Sequence, residues 1–187
     1  MTAARGAIAA ESASYLLEAL GRMLSEDRSK EVAQAVRVVT KSKKLFVYGV
    51  GRSGLAARAF AMRMVQLGLD CYFIGETITP VVSEGDAVLI VSNTGSTMSA
   101  IQVANIARRV GAKVITVTGQ KTSKLAHASN VVLVLQEDHD AHRARLAPLG
   151  TLFEDATLLL LDGVVAQVMQ RLGQTEADML GRHAIMV

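Results

Sequence analysis

The chain has 187 residues, half of them apolar and 4% aromatic, with no Trp and with 20 basic against 17 acidic residues for a formal net charge of +3. That length is expected to fold as one domain spanning residues 1–187, while the scarcity of rings and the lack of any run of five like charges argue against a nucleic-acid partner. One cysteine, Cys71, excludes an internal disulfide framework and a cysteine-based zinc site and fits the cytoplasm; no leader-like apolar run or membrane-length stretch is present, so a soluble, unprocessed protein with no membrane partner is expected.

From Ser12 to about Ser42, Leu16, Leu20, Leu24, Val32, Ala35, Val36 and Val39 recur at helical spacing between charged residues, which predicts two amphipathic helices over about 12–42. Ser12 is the expected cap of the first, and that helix, with no strand beside it, is read as a grip for a partner subunit. The pattern then changes to short runs rich in β-branched residues: Leu45–Tyr48, Cys71–Ile74, Ala87–Val91, Val114–Val117 and Val131–Leu135. Each is nearly free of charge, as strands covered on both faces are. Helical stretches alternate with them, clearest at Leu55–Leu67 and Met98–Val110, followed by Gly68 and Gly111. The alternation predicts a doubly wound α/β layer of five parallel strands with helices on both faces. A polar loop, Glu137–Arg145, leads through Pro148 and Gly150 to a last helix from Thr151, apolar nearly all round from Leu158 to Met169 and therefore deeply buried or shared between subunits. A C-terminal helical segment is expected over about 152–183.

Ligands of open α/β sheets bind beyond the carboxyl ends of the strands. The first strand runs into Gly49-Val50-Gly51-Arg52-Ser53-Gly54, which matches G-x-G-x-x-G, and Glu76 after the second strand could serve as the ribose-binding acid of a nicotinamide site. The chain is too short for a separate substrate domain, which weighs against that reading. The third strand ends in Ser92-Asn93-Thr94-Gly95-Ser96-Thr97, four hydroxyls, an amide and a glycine at a helix N-terminus. Free backbone N–H groups and the positive helix end there favour a phosphate, whereas a single cap needs one hydroxyl. Gly119-Gln120-Lys121-Thr122 lacks the earlier glycine of a P-loop. Glu154 has two readings: Thr151-x-x-Glu154 is a capping box, and a carboxylate entering so apolar a helix also suits a general base. His127, His139 and His142 read as surface residues and form no metal site, and His183 reads as part of a tail unless it is docked.

Taken together, Gly49–Gly54 before Leu55–Arg63, Gly75-Glu76-Thr77-Ile78-Thr79-Pro80, Leu146–Glu154 and terminal Arg182-His183 resemble the 6-phospho-3-hexuloisomerases, small enzymes of the sugar isomerase (SIS) domain superfamily. The likeness runs from about Val32 to His183, and Pro148-Leu149-Gly150-Thr151-x-Phe153-Glu154 is its discriminating piece. It implies a flavodoxin-like sheet, a homotetramer, no metal or redox cofactor, and interconversion of D-arabino-hex-3-ulose 6-phosphate with D-fructose 6-phosphate in the ribulose monophosphate pathway of formaldehyde fixation. It also implies Glu154 as the base and His183 as the acid, with Gly51, Arg52, Ser53, Ser92, Asn93, Thr94, Ser96 and Thr97 seating the sugar phosphate. Many relatives carry Ser-Gly-Ser-Gly-Glu-Thr or a close variant at the third strand's end; here Asn93 replaces a glycine and Ser96 a charged residue. Another SIS isomerase, such as one acting on arabinose 5-phosphate, and a non-catalytic sugar-phosphate-binding SIS domain are the alternatives.

Overall fold

Five short apolar runs satisfy their backbone polar groups by pairing with one another. In the computed structural model, which describes residues 3–138 and 140–185, they form β1 (Leu45–Gly49), β2 (Cys71–Phe73), β3 (Ala87–Val91), β4 (Lys113–Thr118) and β5 (Val131–Val134). All neighbours are parallel, in the order β2-β1-β3-β4-β5, with Leu45 aligned on both Cys71 and Ala87. This is the flavodoxin-like order. β3 is buried along its whole length, as a central strand covered on both faces must be.

Alternate residues of each strand feed two cores. Leu45, Val47, Leu89, Val91, Ile115 and Val117 pack on one face against α2 (Ser29–Lys41), α3 (Arg52–Gln66) and α7 (Thr151–Leu172). Phe46, Val88, Ile90 and Val114 pack on the other against α4 (Met98–Arg109) and α5 (Lys124–His127). Ala100, Ala104 and Ala107 recur along one side of α4, and side chains that small let the helix approach the sheet closely. Outside these layers, α1 (Ala3–Ser25) packs on α7 and on the short α6 (Arg143–Leu146), with Ala19, Leu20 and Met23 buried. The chain ends in α8 (Glu176–Gly181), capped by Thr175 and Asp178 in a reciprocal capping box. Among the described residues no helix is long and apolar enough to cross a membrane.

Several boundaries differ from the sequence reading. Ser12 caps nothing: α1 already starts at Ala3, and Ser12 Oγ donates instead to the Leu146 carbonyl at 2.6 Å. The alanine-rich stretch before Ser12 forms helix readily but lacks the amphipathic period that would announce it. The first helix also has an intramolecular role, since its inner face covers α7. Ile74 leaves β2 and makes only an isolated bridge with Glu76, while β4 gains Lys113 and Thr118.

The Gly49–Gly54 hexapeptide has a packing role that needs no nucleotide. A Cβ on Gly54 would lie 2.5 Å from the Gly49 carbonyl oxygen, and one on Gly49 would meet the Gly54 backbone at 2.8 Å. The two glycines therefore let the end of β1 and the first turn of α3 touch backbone to backbone. Gly54→Ala should destabilise the protein by about 1–3 kcal/mol, the usual range for overpacking a well-filled interior. Urea melts of the variant against the parent measure this, and an unchanged midpoint would show that the contact relaxes freely.

Candidate active site

α3 follows β1 on one face of the sheet and α4 follows β3 on the other, so the winding reverses between these adjacent strands. A crevice opens there, outside their carboxyl ends. Gly51, with φ of 60°, is the N-cap of α3, and Arg52 and Ser53 are its first residues. Thr97 is the N-cap of α4. Neither helix start is closed by a side-chain cap, so the hydroxyls of the Ser92–Thr97 loop are not spent on capping α4. Three of them, on Ser92, Thr94 and Thr97, line a cavity of about 140 Å³ bounded also by Val50, Ser53, Val91, Asn93 and Ala100.

Within this loop Ser92 Oγ and Thr97 Oγ1 lie 3.2 Å apart in a hydrogen bond. Thr94 Oγ1 accepts from Ser96 Oγ at 2.9 Å and from the Ser96 N–H at 3.3 Å. The turn depends on Gly95, which has φ of 58° and whose Cβ, if present, would collide with Ser123 Oγ. Two helix N-termini and uncharged hydroxyl donors around a small concavity are the chemistry that suits a compact anion such as a phosphate monoester. Ser96 is the exception among the expected ligands: it is exposed, braces Thr94 and does not line the cavity. Asn93 lines the cavity but turns its amide outward, donating from Nδ2 to Glu137 Oε1 at 2.9 Å.

Glu154 lies in the first turn of α7. The capping box is not formed: Gly150 is the N-cap, Thr151 is already helical, and Thr151 Oγ1 donates to the Pro148 carbonyl at 2.6 Å. The Glu154 carboxylate folds over Gly150 and accepts from Arg52 Nε at 2.5 Å, while Arg52 Nη2 lies 3.4 Å from Asp155 Oδ1. One guanidinium thus serves two carboxylates and leaves one negative charge uncompensated. Glu154 is largely buried, its side chain 15% exposed, and borders a cavity of about 300 Å³ walled by Leu55, Ala56, Ala59 and Leu158. The first turn of α3 joins the two cavities, since Ser53 faces the hydroxyl-lined one and Arg52 the carboxylate.

His183 is not brought to Glu154 within the chain. It follows α8, which packs at the far end of α3: Arg182 Nη1 donates to the Gln66 carbonyl at 3.1 Å. Arg52 starts that same 15-residue helix, so its two ends are ~20 Å apart at 1.5 Å per residue. His183 is exposed there. His127 and His142 are exposed as well, His139 lies outside the described residues, and no group of metal-ligating side chains occurs among those described. Glu76 pairs with Arg58 at 2.5 Å, whose guanidinium stacks 3.6 Å from the Phe73 ring centre. Burial pushes the Cys71 thiol up to about 12, so it is uncharged at neutral pH and unsuited to nucleophilic work. Asp155 and the Glu137–Arg143 pair escaped the sequence reading; only the adjacency of Asp155 to Glu154 and the polarity of the loop hinted at them.

A doubly wound sheet with a hydroxyl-lined cavity at its winding reversal and a carboxylate beside it defines the class. The chain belongs to the SIS domain family, whose pattern matches residues 38–159. It is 34% identical to the 3-hexulose-6-phosphate isomerase of Methanocaldococcus jannaschii, over 78% of this chain and 78% of that one. It is 31% identical to the 3-hexulose-6-phosphate isomerase of Bacillus subtilis, over 83% and 86%. The crystal structure of a Methanococcus jannaschii protein, for which a molecular function of 3-hexulose-6-phosphate isomerase has been inferred, superposes with a TM-score of 0.81 at 30% identity, covering 93% of this chain and 96% of that one.

Because no capping box forms, Glu154→Gln should shift stability by less than about 1 kcal/mol, the scale of a partly solvated ion pair. A denaturant midpoint lowered by more than that would reinstate a structural role for the carboxylate.

Proposed function

We propose that this protein is a sugar phosphate isomerase that interconverts D-arabino-hex-3-ulose 6-phosphate and D-fructose 6-phosphate, acting as a single-domain homotetramer in the cytoplasm. One observation carries the reading: the first turn of α3 contributes Ser53 to the hydroxyl-lined cavity and Arg52 to the Glu154 carboxylate. The relatives named for this reaction support the choice of substrate.

The phosphate sits among Ser53, Ser92, Thr94 and Thr97, with Gly51 and Asn93 shaping the cavity, so that binding energy away from the reacting carbons fixes the sugar. Glu154 removes the proton from C2 of the 3-ketose, and the electron pair of the broken C–H bond forms the C2=C3 double bond of a 2,3-enediolate. The same carboxylate returns the proton to C3 while the carbonyl forms at C2. His183 moves the accompanying proton from O2 to O3. Arg52 neutralises part of the charge near the developing enediolate.

The decisive assay supplies ribulose 5-phosphate, formaldehyde and a hexulose phosphate synthase and follows fructose 6-phosphate; a parallel assay offers arabinose 5-phosphate. Turnover only of the pentose would overturn the substrate assignment, and turnover of neither would overturn the enzyme reading. Thr94→Ala and Thr97→Ala should each weaken sugar phosphate binding ten- to hundredfold, because a hydrogen bond to an ionised acceptor contributes about 1.5–3 kcal/mol. An unchanged KM in both, with normal melting, would sink the phosphate assignment.

His183 reaches a carboxylate only on a neighbouring subunit, given its distance from Glu154 in its own chain. Glu154→Gln should lower kcat by about 10²–10⁴. Co-assembled Glu154→Gln and His183→Ala chains should then regain part of the parent activity, because some mixed interfaces pair an intact glutamate with an intact histidine. Verified hetero-oligomers as inactive as both parents would remove His183 from the site.

A further inference from the structure

We infer that Glu137 and Arg143 are positioning residues: anchored on Asn93, they hold the turn before α7 so that Glu154 stays in register with the hydroxyl-lined cavity. The catalytic consequence of this inference rests on the isomerase reading above; the positional one does not.

Glu137 lies in the polar loop after β5, yet its side chain is only 5% exposed. Both carboxylate oxygens are used. Oε1 accepts from Asn93 Nδ2 at 2.9 Å, and Oε2 accepts from Arg143 Nε at 2.8 Å with Nη2 at 2.7 Å. Arg143 Nη2 also donates to the Leu149 carbonyl. Among the described residues Leu149 is the one non-glycine with positive φ, 60°. Such a backbone is strained for a side chain branched at Cγ and persists only where its surroundings hold it. Directly after it, the Gly150 carbonyl accepts the Glu154 N–H at 2.9 Å and the Glu154 carboxylate folds over the glycine.

The other end of the strap is equally fixed. The Asn93 carbonyl accepts from the Gly119 N–H at 2.9 Å and from Thr118 Oγ1 at 3.1 Å, and its neighbours in sequence, Ser92 and Thr94, line the hydroxyl-lined cavity. A Cβ on Gly119 would collide with Asn93 Oδ1, so this glycine leaves room for the amide. Bonds therefore run from the hydroxyl-lined cavity through Asn93, Glu137 and Arg143 to the strained turn that carries Glu154. A buried carboxylate with every oxygen occupied is costly to assemble, and a loop needing mere closure would be served by a solvated pair. Arg143 Nε and Nη2 both grip Glu137, and Nη2, held in the guanidinium plane, also reaches the Leu149 carbonyl, so one rigid side chain ties the two together.

Arg143→Lys tests this in the full chain. Lysine keeps the charge opposite Glu137, so the protein should melt as the parent does, but its ammonium ends about one bond short of the Nη2 position and lacks the fixed planar direction, so it does not also hold the Leu149 carbonyl. kcat for hexulose and fructose 6-phosphate interconversion should fall ~10–100-fold with KM nearly unchanged, the signature of a displaced reacting group. Amide exchange over residues 149–154 should quicken while that over 92–97 does not. The double variant Glu137→Gln/Arg143→Met removes the buried charge together with its partner and should give the same kcat loss. If both variants retain parental kcat, or lose only affinity, the inference is wrong. If the parent protein turns over no sugar phosphate, the isomerase reading fails by itself, and exchange over 149–154 decides: quickened exchange in Arg143→Lys upholds the strap, and unchanged exchange refutes it.

Discussion

The reversal of winding between β1 and β3 is the constraint from which the rest of this molecule follows. Two adjacent parallel strands send their next helices to opposite faces of the sheet, so the loops leaving them diverge and cannot cover each other. The N-termini of α3 and α4 are left pointing at the gap, and neither N-cap residue, Gly51 or Thr97, closes its helix with a side-chain hydrogen bond. Small hydroxyl residues and glycines fill such a place because larger side chains would bury polar backbone without satisfying it. The mutual approach of Gly49 and Gly54 then draws α3 against the end of β1. α7 packs along α3, and Glu154 inherits its position from that packing.

What the amino-acid sequence revealed follows from which interactions are local. Central strands such as Ala87–Val91 are uninterrupted apolar runs because both faces are covered, and that pattern survives in one dimension. The hydroxyl-rich loop after β3 was equally plain, since four hydroxyls exceed what a helix cap needs. Glu154 was ambiguous for a physical reason: a capping box and a poised carboxylate share the same spacing. Only the observation that Thr151 is already helical, with Gly150 as the N-cap, separates them. The start of α1 was missed because helix propensity without amphipathic period leaves no hydrophobic signature. The resemblance places Arg52 near the substrate, but its pairing with a carboxylate 102 positions away belongs to three dimensions alone.

Asn93 illustrates the limit most sharply. Among the hydroxyls of the Ser92–Thr97 loop, a polar side chain reads as part of the ligand set of the cavity. In three dimensions the amide donates to Glu137, and room for it comes from Gly119, another strand's first loop residue. Asn93 therefore leaves Ser92, Thr94 and Thr97 lining the cavity and uses its side-chain N–H to brace the loop that holds them.

The outer faces of α3 and α7 bring the proposed chemistry and the proposed assembly under one physical requirement. Leu55, Met62 and Val65 on α3 and Leu158 and Leu159 on α7 are exposed, and Leu55 and Leu158 also wall the cavity beside Glu154. The chain presents 10531 Å² of accessible surface, more than the roughly 8,700 Å² expected of a folded monomer of this mass. An enediolate intermediate needs water kept away and its charge met by fixed dipoles, yet the isolated chain leaves this cavity open on its apolar side. Covering the α3–α7 face with another copy would remove that apolar surface from water and close the cavity in the same event. It would also bring side chains from a second chain to the glutamate, which a catalytic part for His183 requires, since in its own chain it lies at the far end of α3. Self-association and catalysis would then depend on the same few side chains, and a protein this small would need no separate lid.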